Sequence, residues 1–146
     1  MKSASKVTRV KLEISQNNDI ILVGLVSAEP DYKLSLSINK KFRISLKNTV
    51  PVKVSEVTGS EHTFSRFSDT NGSPDIIFNL FSNRSGKNFL LKNLKNVDFI
   101  FQIHDSENEN NLNKITESLR EIESVNAVFR IDINTFKDKN LHYLTQ

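Results

Sequence analysis

The side chains in this chain whose types could do chemistry are one isolated aspartate, three histidines and two clusters of cations. Asp98 opens the apolar stretch at residues 97–104. Alternation puts Val97, Phe99, Phe101 and Ile103 on one face of that strand and Asp98, Ile100, Gln102 and His104 on the other. A carboxylate on the same face as Ile100 is partly enclosed, and an enclosed carboxylate needs a partner or a raised pKa. Arg130, on the polar face of the last strand, is one candidate partner if the two strands are neighbours. Backbone N–H groups near the strand entrance are the other. The expected role of Asp98 is a structural anchor, with a ligand or partner site as the alternative.

The remaining candidates have simpler explanations. His62, His104 and His142 lie far apart and in no metal-ligand spacing, as expected of surface or sheet-edge histidines. His62, Ser65 and Asp69 contain the residue types of a hydrolytic triad. A nucleophilic serine, however, needs a strained elbow, and no Gly-x-Ser-x-Gly pattern surrounds Ser65. Ser85-Gly86-Lys87 is like the end of a phosphate loop without its first glycine or the hydroxyl residue after lysine, so turn chemistry accounts for it. Lys40, Lys41, Arg43 and Lys47 around Phe42, and Arg66 between Phe64 and Phe67, pair cations that could meet phosphate with rings that could stack a base. In an alternating strand those rings turn inward and the charges outward, which describes an ordinary solvated face. The acidic run at 105–109 lacks the spaced ligands and the glycine of a calcium loop and fits helix capping. No catalytic residue, metal ligand or cofactor is assigned.

The elements that must position these groups follow from hydrophobic period. Residues 7–15 alternate as a half-buried strand, 16–19 form a polar turn, and 20–26 are continuously apolar, as in a central strand covered on both faces. Together they predict a hairpin. Residues 30–41 also alternate, but Pro30 suits a first helical turn. A helix there carries apolar residues on opposite sides and is expected to be largely buried. A strand then follows through Phe42, Ile44 and Leu46. Short strands are expected around Val52 and Val54 and at 64–67. The clearest loop is 69–75, a strand covers 76–81, and a hairpin turn at 82–88 leads into Phe89. Ser106 to Glu109 matches a capping box. Leu112, Ile115, Leu119 and Ile122 make one helical stripe. On the last strand Val125, Ala127, Phe129, Ile131 and Ile133 face one way, with Arg130 and Asp132 opposite. Strands joined by this helix should run parallel with a right-handed crossover. The polar tail at 137–146 is expected to be peripheral.

The chain has 146 residues with 37% hydrophobic and 25% charged content, which fits one globular domain with a core over about 7–136. It has no cysteine, so disulfides and thiolate sites are excluded and a cytoplasmic setting fits. No apolar run approaches the length of a membrane span. The net charge of +3 is a weak footprint for nucleic acid.

The segment 91–99, Leu-Lys-Asn-Leu-Lys-Asn-Val-Asp-Phe, resembles the signature of the IPExxxVDY family, small bacterial proteins of unknown function. Val97 and Asp98 match it directly and Phe99 replaces its tyrosine. Leu91 stands for isoleucine, while Lys92 and Asn93 depart from proline and glutamate. Asp31-Tyr32-Lys33-Leu34, Ile38-Asn39-Lys40, Phe64-Ser65-Arg66-Phe67 and Asn83-Arg84 ahead of Gly86 are similar in kind and order, so the likeness covers most of the chain. It implies no reaction, cofactor or partner. It favours the helix after Pro30 and draws attention to Asp98, Asp31, Tyr32 and Asn39.

The expected fold is α+β: a mainly antiparallel sheet, two helices, and a C-terminal β-α-β unit compatible with half of a ferredoxin-like arrangement. A helix on the Phe99 face would leave the Asp98 face open. The expected function is a non-catalytic module binding another protein or a second copy of itself, off the membrane. A nucleic-acid binder is the alternative and an enzyme the third.

Overall fold

The structure is a computed structural model that describes residues 20–73, 76–105 and 112–145. The expected strand at 7–15, the turn at 16–19 and the capping box at 106–109 lie outside the described residues. In chain order the elements are β1 (Ile20–Val26), α1 (Asp31–Phe42), β2 (Lys47–Asn48), β3 (Val52–Ser55), β4 (Glu61–Phe64), β5 (Arg66–Ser73), β6 (Ile76–Ser82), β7 (Arg84–Ser85), β8 (Asn88–Phe89), β9 (Phe99–Asp105), α2 (Leu112–Arg120) and β10 (Ala127–Ile131). A single 3-10 turn, Leu141–Leu144, follows.

Six strands form one sheet in the order β10-β1-β9-β6-β5-β2, each neighbouring pair antiparallel. The fold is α+β. The apolar run of β1 is explained by its position, with β9 on one side and β10 on the other. Residues Leu22 to Leu25 therefore have a strand on both edges, and neither is the hairpin partner expected from 7–15. β9 and β10 both oppose β1, so they run parallel to each other with β1 between them. The helix-linked pair is thus a split β-α-β unit, the connection of ferredoxin-like folds.

Both helices pack on one face. Leu34 and Ile38 of α1 and Ile115 and Leu119 of α2 join Val23, Leu25, Phe99, Phe101 and Ile103 in one buried cluster. Pro30 precedes α1 in extended backbone, and its carbonyl accepts from Lys33 and Leu34 N–H. At the other end Arg43 takes left-handed backbone, φ 57° and ψ 47°. The strand expected through residues 42–46 is absent because α1 runs on to Phe42 and only β2 follows. Burial of α1 is one-sided: Leu34 and Ile38 are enclosed, whereas Tyr32 is 55% and Leu36 63% exposed. Of the loop expected at 69–75, residues 69–73 belong to β5, whose register with β6 shifts between Asp69 and Ser73, and 74–75 lie outside the described residues. Gly86, with φ 61°, turns the β7–β8 hairpin as expected.

The opposite face is not open. The β3–β4 hairpin, the segment 90–97 and the 3-10 turn cover it, burying Leu22, Val54, Phe64, Phe81, Leu90, Leu91, Ile100 and Leu144. Val97 belongs here with Ile100, not with Phe99, because the β ladder starts only at Phe99 and the alternation does not extend back across Asp98. The tail is not peripheral either: Leu144 is fully buried and Asn140 nearly so.

Candidate functional site

Two polar constellations lie on this second face. The first is built around Asn83, which is 0% exposed. Its amide nitrogen donates to the carbonyls of Leu94 (2.9 Å) and Val97 (2.8 Å), and its amide oxygen accepts from Leu91 N–H at 2.8 Å. Its backbone N–H donates to the Asp98 carbonyl and its own carbonyl accepts from Leu90 N–H. One side chain thus folds the irregular segment 90–98, whose backbone groups would otherwise be buried without partners.

Asp98 completes that fold. One carboxylate oxygen accepts from Arg84 Nε at 2.7 Å and the other from Ser27 N–H at 3.0 Å, just past the end of β1. Its backbone N–H donates to the Leu25 carbonyl at 2.8 Å. The guanidinium of Arg84 lies over the Phe89 ring, 5.1 Å from its centre. Of the two expected kinds of partner, the backbone N–H is present, but the cation is Arg84. Arg130 instead bonds Asn113 on α2, because β1 separates β10 from β9 and Arg130 faces the helices. Val97, one residue earlier, covers Gly24: a Cβ added there would lie 3.1 Å from both Val97 methyls. Phe99 is core.

The other candidates are structural or dispersed. Asn39 brackets Leu46, donating to its carbonyl at 3.2 Å and accepting its N–H at 2.7 Å, which fixes the exit from α1. Asp31 accepts Tyr32 N–H in the first turn of α1, and Tyr32 is exposed. His62 lies 3.9 Å from Glu56, Ser65 bonds Ser82, and Asp69 accepts Ser45 N–H, so the triad types have separate partners. Phe64 and Phe67 are buried and Phe42 packs 5.5 Å from Phe101, so these rings are not free to stack bases. Lys41 pairs with Glu121 at 2.6 Å. Among the described residues no three His, Cys, Asp or Glu side chains are grouped to hold a metal ion.

The second constellation was not anticipated. Register aligns Ser68, Asn79 and Gln102 across β5, β6 and β9. Asn79 donates to Gln102 Oε1 at 2.7 Å and accepts from Ser68 Oγ and from Arg66 Nε, the latter at 3.1 Å. Gln102 donates in turn to the Leu144 carbonyl and so anchors the chain's C-terminal turn. Arg66 lies 5.8 Å over the Phe81 ring. This row floors a cleft of about 290 Å³ lined also by Val52, Ile77, His104 and Tyr143. Asn79, a lone amide inside an apolar strand, was the available sequence signal; cross-strand register was not.

Comparison with protein-family models found no match, and comparison with curated proteins found no significant one. Among the described residues no helix is long and apolar enough to cross a membrane.

Proposed function

We propose that this chain is a non-catalytic interaction module that pairs with a second copy of itself through the outer face of α1. The observation that carries it is the pair Tyr32 and Leu36, one helical turn apart on the side away from the core and both more than half exposed. Charge favours a second copy as the occupant. Glu29 and Asp31 stand at the start of α1, and Lys40 and Arg43 at its end, beside Lys41, which is already paired with Glu121. Two copies related by a two-fold axis with antiparallel helices set each acidic end against a basic end, and the helix dipoles oppose.

Light scattering over a range of concentrations tests this. A reversible dimer is expected, lost in Leu36→Glu without loss of helix signal and weakened by salt, since screening shortens from about 10 Å at 0.1 M to about 3 Å at 1 M ionic strength. A monomer at every concentration overturns it. So does a foreign partner whose binding, and not self-association, is lost in Leu36→Glu.

The same reading includes a cytoplasmic setting, supported by the lack of cysteine, and kinship with the IPExxxVDY family. Support for the kinship is that Val97-Asp98 and Asn83-Arg84, two pairs carrying the likeness, bind each other.

A further inference from the structure

We propose that the cleft floored by Arg66, Asn79 and Gln102 binds a small organic anion, a carboxylate or phosphate monoester on a compact apolar body. The amides of Asn79 and Gln102 are engaged in the row described above. Among the described residues, the two terminal guanidinium nitrogens of Arg66, the His104 imidazole and the Tyr143 hydroxyl have no hydrogen-bond partner. These three groups come from β5, β9 and the C-terminal turn and line one concavity. Among the described residues no carboxylate lines it and Arg66 makes no ion pair.

A half-buried guanidinium held by one neutral hydrogen bond keeps its charge uncompensated. Its free edge offers two parallel N–H donors, the geometry that fits a carboxylate or phosphate. Asn79 and Phe81 hold that fork in place, so little rotamer freedom remains to be lost on binding. Val52, Ile77 and Phe81 supply an apolar wall, which excludes water and strengthens the attraction. At about 290 Å³ the site is at the small end of ligand cavities, which sets the compact body. The inference is independent of the α1 surface.

The test is a titration of isotope-labelled protein, followed by NMR, with benzoate, phenyl phosphate, inorganic phosphate and, as the neutral control, benzyl alcohol. Saturable shifts are expected at Arg66 Nε–H and at the side-chain amides of Asn79 and Gln102 with benzoate or phenyl phosphate, the tighter of the two identifying the ligand's anionic group. Arg66→Lys keeps the charge but removes the fork and should weaken binding by about tenfold or more. Tyr143→Phe removes only a hydroxyl without a partner, so a weaker affinity in a variant of unchanged melting temperature would support the site even if Arg66→Lys folds poorly. Absence of saturable shifts with all three anions overturns the proposal. Equal binding of benzyl alcohol does so too, since it would show an apolar crevice, and inorganic phosphate binding as tightly as phenyl phosphate removes the apolar body from the assignment.

Discussion

Gly24 packs directly beneath the Val97 side chain. A β-carbon on Gly24 would press on both methyls of the buried Val97, which would have to shift by a few tenths of an ångström, so Gly24→Ala should cost about 1–3 kcal/mol through overpacking. Val97→Ala in the same chain should recover part of that loss, and urea midpoints of the two single variants and the double variant measure the coupling. Asp98→Asn keeps an acceptor for Ser27 N–H but loses the charge opposite Arg84. With Arg84 half exposed, a loss of about 1 kcal/mol is expected. Unchanged stability would remove the anchor role. Lys92 and Asn93, the two departures from the IPExxxVDY pattern, make contacts of their own. Asn93 holds Asp138 and the Lys137 carbonyl. Lys92 donates to Glu56 at 2.8 Å, which holds the Glu56 carboxyl below its ordinary value and the Lys92 ammonium above its own. A lowered carboxyl adds stability that is lost as pH falls through its folded value, and a raised ammonium adds stability that is lost as pH rises through its folded value. The pair therefore acts between the ordinary values of 4.5 and 10.5 and fades outside them. The difference in urea midpoint between wild type and Lys92→Met should be small and present near neutral pH, and should vanish in acid.

At the scale of elements, legibility followed hydrophobic period. β1 was visible as a short unbroken apolar run, and β6 and β9 as apolar runs interrupted by Asn79 and by Gln102. The stripe Ile115, Leu119 and Ile122 marked α2 for the same reason. α1 was harder: Tyr32, Leu34, Leu36 and Ile38 satisfy a two-residue period, and only Pro30 and the resemblance around Asp31-Tyr32-Lys33-Leu34 argued for helix. What its one-sided burial shows is that half of that alternation serves the core and half serves the surface. The C-terminal turn was invisible because Leu141 and Leu144 are scattered among polar residues and are held by side chains far away in sequence. Asn140 reaches the Leu90 carbonyl, and Gln102 reaches Leu144. Leu144→Ala should cost about 2–4 kcal/mol despite lying at the end of the chain. Chemical denaturation measures it, and a loss near zero would mean the turn is an ornament rather than a lid on the second cluster.

At the scale of the molecule, α+β class and the parallel sense of β9 and β10 followed from strand–helix–strand order. The insertion of β1 between them did not, because nothing local to 20–26 names its neighbours. The same holds for Asp98, Arg84 and Ser27, and for the row from Arg66 to Leu144: each is assembled by register and by the path of segment 90–98, properties of the whole sheet. That insertion also bears on how the chain is made. β1 is among the first described segments to leave the ribosome, yet its two neighbours end at residues 105 and 131. At about 5–20 residues per second the most apolar of the described strands waits roughly 5–20 s for its last edge partner. Its pairing is entirely long-range, which slows closure further. Nascent chains halted before residue 127 should carry β1 with one edge unpaired, a state that invites chaperones or neighbouring chains, whereas chains released past 131 should not.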